Sequence, residues 1–359
     1  MANLDTSYCY SFPAVRGIQA GRPFYIATCP LRIIPKIFSF DESEVPPELR
    51  AQRTLNKSRI PEMVRYLLDN PKDYVFSALT ASIAVEVEFS EFDQTNNLGY
   101  LKIPMDAQIL INDGQHRRKA IEEAIQEKPE LGQDNIPVLF FVDEGLVRSQ
   151  QMFADLNKYA VKPSASLATL YDHRDPASEI ARHLATTTEP FIGLTEMEKS
   201  SLSKLSSKLF TLSSIKQATI ALFGKGSKDG YSEAEKNIAR EYWKELYQNM
   251  PDWKLAVKKS VSASDLRQDY IHSHGVGLQA LGNLGHCLLT EHPDDWKQLL
   301  TGLKTIDWRK TNEMWLLRTM LHGKISKSNT AIQLTSNGLK LALHLPLNPE
   351  ERQQEEQVL

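Results

Sequence analysis

Within six consecutive positions, Asp113-Gly114-Gln115-His116-Arg117-Arg118 gathers a carboxylate, an imidazole, two guanidiniums and a glycine. Ile109-Leu110-Ile111 before it reads as a short apolar strand. After it the pattern turns helical, with Ala120, Ile121, Ala124 and Ile125 on one face, so the run falls at a strand-to-helix corner. A glycine there permits a tight turn and a close approach of backbone to ligand. The first turn of the helix adds unpaired N–H groups and the positive end of the dipole, which attract a phosphate. His116, Arg117 and Arg118 stand where cations oppose that dipole. An anionic ligand resolves the conflict; so does Asp113 capping the helix while an arginine pairs with a nearby carboxylate. Both readings fit the residues.

The formal net charge is −3, so a surface for nucleic acid has to be local. Lys199, Lys204, Lys208, Lys216, Lys225 and Lys228 occupy a stretch with no Asp or Glu, and seven serines fall between 200 and 214. Arg50, Arg53, Lys57 and Arg59 form a second acid-free patch, and Lys158 with Lys162 a smaller third. Such clusters suit DNA phosphates, which supply most affinity and make it salt-dependent; they equally suit a solvated face. No zinc-finger or homeodomain signature is present, and a helix-turn-helix within 200–223 is compatible with the pattern.

Other chemistries have weaker support. Gly224-Lys225-Gly226-Ser227 and Gly323-Lys324-Ile325-Ser326 both lack the spacing of a Walker A loop, so a nucleotide needs another phosphate cradle, and the Asp113–Arg118 corner is the natural one. His272, His274, His286, Cys287 and His292 are too loosely spaced to predict a metal site, and no structural metal is expected. Cys29, near Arg32, reads either as a redox thiol or as a buried structural one. Three widely spaced cysteines, no secretory leader and no long apolar run point to a cytoplasmic protein without a membrane partner.

The elements that must position these residues change character along the chain. Short β-favouring runs are expected at 24–28, 31–34 and 74–79, an alternating strand over 85–89, a helix over 60–68, and an apolar strand over 136–142. Strand, helix and strand from 109 to 142 predict a right-handed crossover. After 164 the strand signal fades, and helices are expected at 176–185, 196–209, 212–223, 232–249, 276–290 and 312–321. The chain therefore reads as α+β: a mixed α/β domain over 1–165, a mainly α-helical domain over 166–347, and a flexible tail over 348–359.

Asn112-Asp113-Gly114-Gln115-His116-Arg117-Arg118-Lys119-Ala120 resembles the signature of the DGQHR-domain proteins. With Ala51-Gln52-Arg53, Arg59 and Phe153-Ala154-Asp155-Leu156-Asn157-Lys158, the chain resembles the DndB family, regulators of bacterial DNA phosphorothioation, a sulfur modification of DNA. The DGQHR region of that family is similar to ParB and sulfiredoxin folds. The resemblance implies that Gly114, His116 and Arg117 contact phosphate and that Asp113 shapes the turn. Gln115 stands where sulfiredoxin has its reactive cysteine, so sulfinic-acid reduction is not implied. What is implied is a DNA-binding negative regulator of the modification operon, tuned by ATP, with Mg²⁺ accompanying the nucleotide. The corner residues Asp113 to Arg118, Gln115 and Arg118 included, are the expected nucleotide site. Double-stranded promoter DNA, other phosphorothioation proteins and further copies of the chain are the expected partners. A nucleoside triphosphatase or ParB-like nuclease using Asp113 and His116 is the alternative, as is an adaptor without DNA affinity.

Overall fold

The computed structural model describes residues 8–38, 57–92, 97–142, 151–152, 155–156, 163–227 and 229–357. By its internal contacts the chain divides into two compact units, Met1–Val161 and Lys162–Leu359.

The first unit is built on a seven-stranded mixed sheet. Its strands are β1 (Cys9–Gln19), β2 (Arg22–Pro30), β3 (Leu79–Ile83), β4 (Glu88–Glu91), β5 (Leu98–Pro104), β6 (Ile109–Asp113) and β7 (Asn135–Val142), in the spatial order β4-β5-β1-β2-β7-β3-β6. Tyr25, Ala27 and Cys29 of β2 are buried while Ile26 and Thr28 between them are exposed, the period-2 alternation of a sheet with one covered face. Helices α1 (Ile34–Ile37), α2 (Ile60–Asp69) and α3 (Gln115–Glu127) belong to the same unit. Phe12, Ala27, Leu67, Leu79, Ile121 and Phe140 belong to its one apolar core.

Three expectations need correction here. Leu31 to Ile34 is not a strand: a 3-10 turn over Leu31–Ile33 runs into α1, because Pro30 and Pro35 offer no N–H to continue the ladder. Residues 74–78 are irregular, and the strand begins only at Leu79. Finally, β7 pairs parallel to β3 while β6 pairs antiparallel to it on the other side. The passage from β6 through α3 to β7 is therefore no parallel crossover. All five residues of β3, the hydroxyls Thr80 and Ser82 included, are buried, as befits a strand with neighbours on both sides.

The second unit is mainly helical: α4 (Ala165–Tyr171), α5 (Pro176–Thr187), α6 (Leu212–Phe223), α7 (Glu233–Gln248), α8 (Pro251–Val257), α9 (Ala263–Asp269), α10 (Gly275–Glu291), α11 (Trp296–Leu300), α12 (Asn329–Ala342) and α13 (Pro349–Glu356). Trp243, Trp253, Trp315, Tyr242 and Phe191 are fully buried at its centre. Helices α6 and α10 pack backbone to backbone, since a Cβ at Gly282 would lie 2.4 Å from the Ala218 carbonyl oxygen.

Residues 197–209 do not form the expected helix. The serine-rich stretch is irregular between two short paired strands, β8 (Thr195–Glu196) and β9 (Phe210–Thr211). Serine hydroxyls compete for backbone groups. The Arg267 guanidinium collects the carbonyls of Ser203, Lys204 and Lys208 in place of a helical ladder. With α6 alone between 200 and 223, a helix-turn-helix in that span is ruled out. Residues 312–321 hold a 3-10 turn, Glu313–Trp315, and the start of a small hairpin of β10 (Met320–Leu321) and β11 (Lys324–Ile325). The tail expectation also fails, because α13 is anchored. Asn348 and Glu351 form a reciprocal cap, Lys340 pairs with Glu351 at 2.7 Å and Arg318 with Glu355 at 2.5 Å, both pairs almost out of solvent.

Candidate phosphate site at the Asp113 to Arg118 corner

Gly114 adopts φ +103°, and the chain turns there from β6 into α3. A Cβ at this position would fall 2.3 Å from Leu79 Cδ2 and 2.9 Å from an Arg117 guanidinium nitrogen. The glycine is thus required by the left-handed backbone and by packing. The space beside it is filled by the protein itself, so close approach of a ligand to this Cα is not its reason.

The cations of the first turn are largely neutralised from within. Arg117 reaches back to Asp113 at 2.5 Å and donates to Ser77 Oγ. Arg118 pairs with Glu122 at 2.7 Å and donates to the Pro35 carbonyl at 3.2 Å, tying α3 to α1. Burial, reinforced by the positive fields of Arg59 and Arg117, holds the His116 imidazole below the ordinary histidine range, so it is neutral at neutral pH. Gln115 lies near the Ile111 carbonyl at 3.5 Å, the limit of a hydrogen bond. Asp113 does not cap the helix; Gly114, which has no side chain to bond the first-turn N–H groups, takes the cap position. The arginine–carboxylate pairing read as one alternative in the sequence is therefore present, without the cap.

What remains for an anion is specific. The first turn of α3 contains no acid. Arg59, at the N-cap of α2, is near enough to act on His116. Arg117 and Arg118 each keep a buried Nε–H without a partner. Such orphaned donors are costly, and a phosphate oxygen satisfies them. The corner's two acids, Asp113 and Glu122, are both engaged by arginines, so its donors suit an anion rather than a directly held metal. Ser77, Pro35 and Glu122 were not anticipated as parts of the corner, and only Glu122, four residues after Arg118, carried a signal in its spacing.

The other sequence candidates are dispersed. Arg50, Arg53, Lys158, Lys162 and Lys228 lie outside the described residues, and Lys57 opens the 3-10 turn before α2. In the lysine run, Lys216 pairs with Asp175 at 2.6 Å, Lys225 with Glu235 at 2.5 Å, and Lys208 donates to the Gly193 carbonyl at 2.8 Å. Two lysines of the acid-free sequence are thus neutralised in space by acids from other elements. Lys199 and Lys204 are exposed.

Cys29 is fully buried in β2, and burial pushes its thiol up to about 12, so the expected help from Arg32 toward a thiolate is overturned. His272 is a core histidine: it accepts from Trp253 Nε1–H at 3.0 Å and faces Asp252 at 3.2 Å. Among the described residues no group of three His, Cys, Asp or Glu could hold a metal ion, and no helix is long and apolar enough to cross a membrane.

The sequence model of the family described as DndB, DNA-sulfur modification-associated, matches residues 12–346, nearly the whole chain. No curated protein and no solved structure matches.

Proposed function

The chain belongs to the DndB family, described as DNA-sulfur modification-associated, and from that membership we propose that it is a DNA-binding negative regulator of the genes for this modification. The family match is the observation that carries the reading. In this account a nucleotide, ATP with its Mg²⁺, places its phosphates at the Asp113–Arg118 corner and tunes DNA occupancy.

The geometry supports the nucleotide part through three features: an α3 N-terminus with no acid in its first turn, Arg59 within electrostatic reach of it, and the two orphaned arginine Nε–H donors. Arg117 and Arg118 would turn these donors to phosphate oxygens, while Asp113 and Glu122 keep both guanidiniums placed. A ParB/sulfiredoxin-like ancestry of the first unit belongs to the same proposal. For DNA, the exposed Lys199 and Lys204 and the stretch around Arg50 to Arg59 are the phosphate-contacting candidates.

A gel-shift titration with the promoter region of the modification genes and a scrambled duplex, at several salt concentrations, tests the reading. Preference for the promoter, with affinity falling steeply as salt rises, is expected. Equal and weak binding to both duplexes would refute it.

A further inference from the structure

The second unit contains a cavity of about 1040 Å³ whose lining includes Lys204, Arg267, Lys310, Lys324 and Lys327 and no Asp or Glu. In a chain with more acidic than basic residues, that composition is one-sided. None of the five cations pairs with a carboxylate among the described residues.

These cations differ in how they are held. Arg267 and Lys310 are fixed by backbone carbonyls: Arg267 by those of Ser203 and Lys204, Lys310 Nζ by those of Arg267 and Gln268 at 2.8 and 2.7 Å. Burial lowers the affinity of both for their protons, the mark of charges taken out of water without a close counter-ion; Asp269, outside the lining, offsets this only partly at Lys310. Lys204, Lys324 and Lys327 are exposed. Two long helices also begin at the wall. Ser213 and Ser214 of α6 line it, as do Gly275 and Val276 of α10, whose N-terminus has no side-chain cap and no acid in its first turn. The start of α6 is closed by its Thr211–Ser214 cap, so it is the uncapped start of α10 that adds positive potential and amide donors. Phe210, Val276, Met320, Ile325 and Ile332 supply an apolar share of the lining.

We propose that this cavity binds a small molecule carrying an oligophosphate chain, of the size of a nucleoside di- or triphosphate. Its volume is that of a small-molecule site, and the apolar lining gives room for a base beside the phosphates. The site is distinct from the Asp113–Arg118 corner, whose residues belong to the other unit; it shares only Lys204 with the DNA candidates.

Calorimetric titration of the full chain with inorganic triphosphate, ATP and adenosine tests it, in an Arg117→Ala background that weakens the corner. One equivalent of triphosphate is expected to bind, and adenosine alone much more weakly. Combined Lys204→Gln, Lys324→Gln and Lys327→Gln substitutions, on exposed side chains that leave the fold intact by thermal melting, should weaken triphosphate at least about tenfold. ATP binding tighter than triphosphate assigns the apolar lining to a nucleoside, and equal binding assigns recognition to the phosphates alone. Loss of all triphosphate binding in Arg117→Ala, or unchanged affinity in the triple variant, would overturn the proposal. So would a triple variant that loses DNA affinity while triphosphate binds to neither protein, which would make the cavity mouth a DNA surface.

Discussion

The Asp113–Arg118 corner and the cavity of the second unit are both rich in cations, yet they treat them in opposite ways. At the corner each arginine is matched by a carboxylate one helical turn away, Arg117 by Asp113 and Arg118 by Glu122. In the cavity, five cations converge from separate segments with no acid in the lining. A basic run in sequence is therefore a poor guide to free positive charge. What counts is whether the fold brings an acid to it, and Lys216 and Lys225 show that an acid-free stretch acquires its acids from α5's cap and from α7.

The comparison can be broken most forcefully at Gly114. Substitution by alanine imposes a left-handed backbone on a Cβ that also meets Leu79 and Arg117. A loss of roughly 2–4 kcal/mol is expected in denaturant unfolding; a neutral effect would show that the corner is looser than described.

Lys216 and Lys204 sharpen the contrast between paired and free lysines. Lys216→Met strands Asp175, which also accepts from Ser227 and the Ser178 N–H, and should cost about 3 kcal/mol. Lys204→Met should change stability by less than about 0.5 kcal/mol. Burial works to raise the Asp175 carboxyl, but the hydrogen bonds from Lys216, Ser227 and Ser178 outweigh it and hold it below the usual range. Its contribution is accordingly present above the unfolded carboxylate range and lost as pH falls through the lower folded value. Equal melting temperatures for the two variants would erase the distinction.

A pH effect of intermediate size is expected from His274, which occupies the N-cap position of α10 and bonds the Arg267 carbonyl at 2.8 Å. Burial, then the field of Lys310, lower it to about 4. The unfolded imidazole takes its proton near 6.5 and the folded one does not, so stability falls between pH 6.5 and about 4. Thermal melts should show a loss of about 3 kcal/mol over that window, reduced in His274→Gln; an unchanged slope would place the titrating group elsewhere, with buried His272 the first alternative. The smallest effect concerns thiols. Native protein treated with an alkylating agent should be modified at Cys9, which is partly exposed, before Cys29. Modification at Cys29 first would restore a reactive role for it.

Much of the corner was legible in the sequence because its signals are local. The apolar strand, the glycine and the 3.6-residue period of Ala120, Ile121 and Ala124 all fall within one turn or two of each other, and β6, α3 and β7 form where expected. The place of β3 between β6 and β7 was not legible, since strand order is set by pairing between distant segments. The cavity was invisible for the same reason. Arg267 lies on α9, Lys310 in the turn after Arg309, and Lys324 and Lys327 at and just after β11, and nothing in the sequence says that these segments meet. The helix expected over 196–209 does not form because the serines there compete for the backbone's hydrogen bonds.

Footprinting of the region upstream of the sulfur-modification genes, with and without ATP, tests the central claim most directly. The account predicts one discrete protected stretch whose protection changes when ATP is added to the unsubstituted chain and does not change with Arg117→Ala. Absence of any protected stretch, or uniform protection of the whole fragment at every concentration that binds, would contradict it.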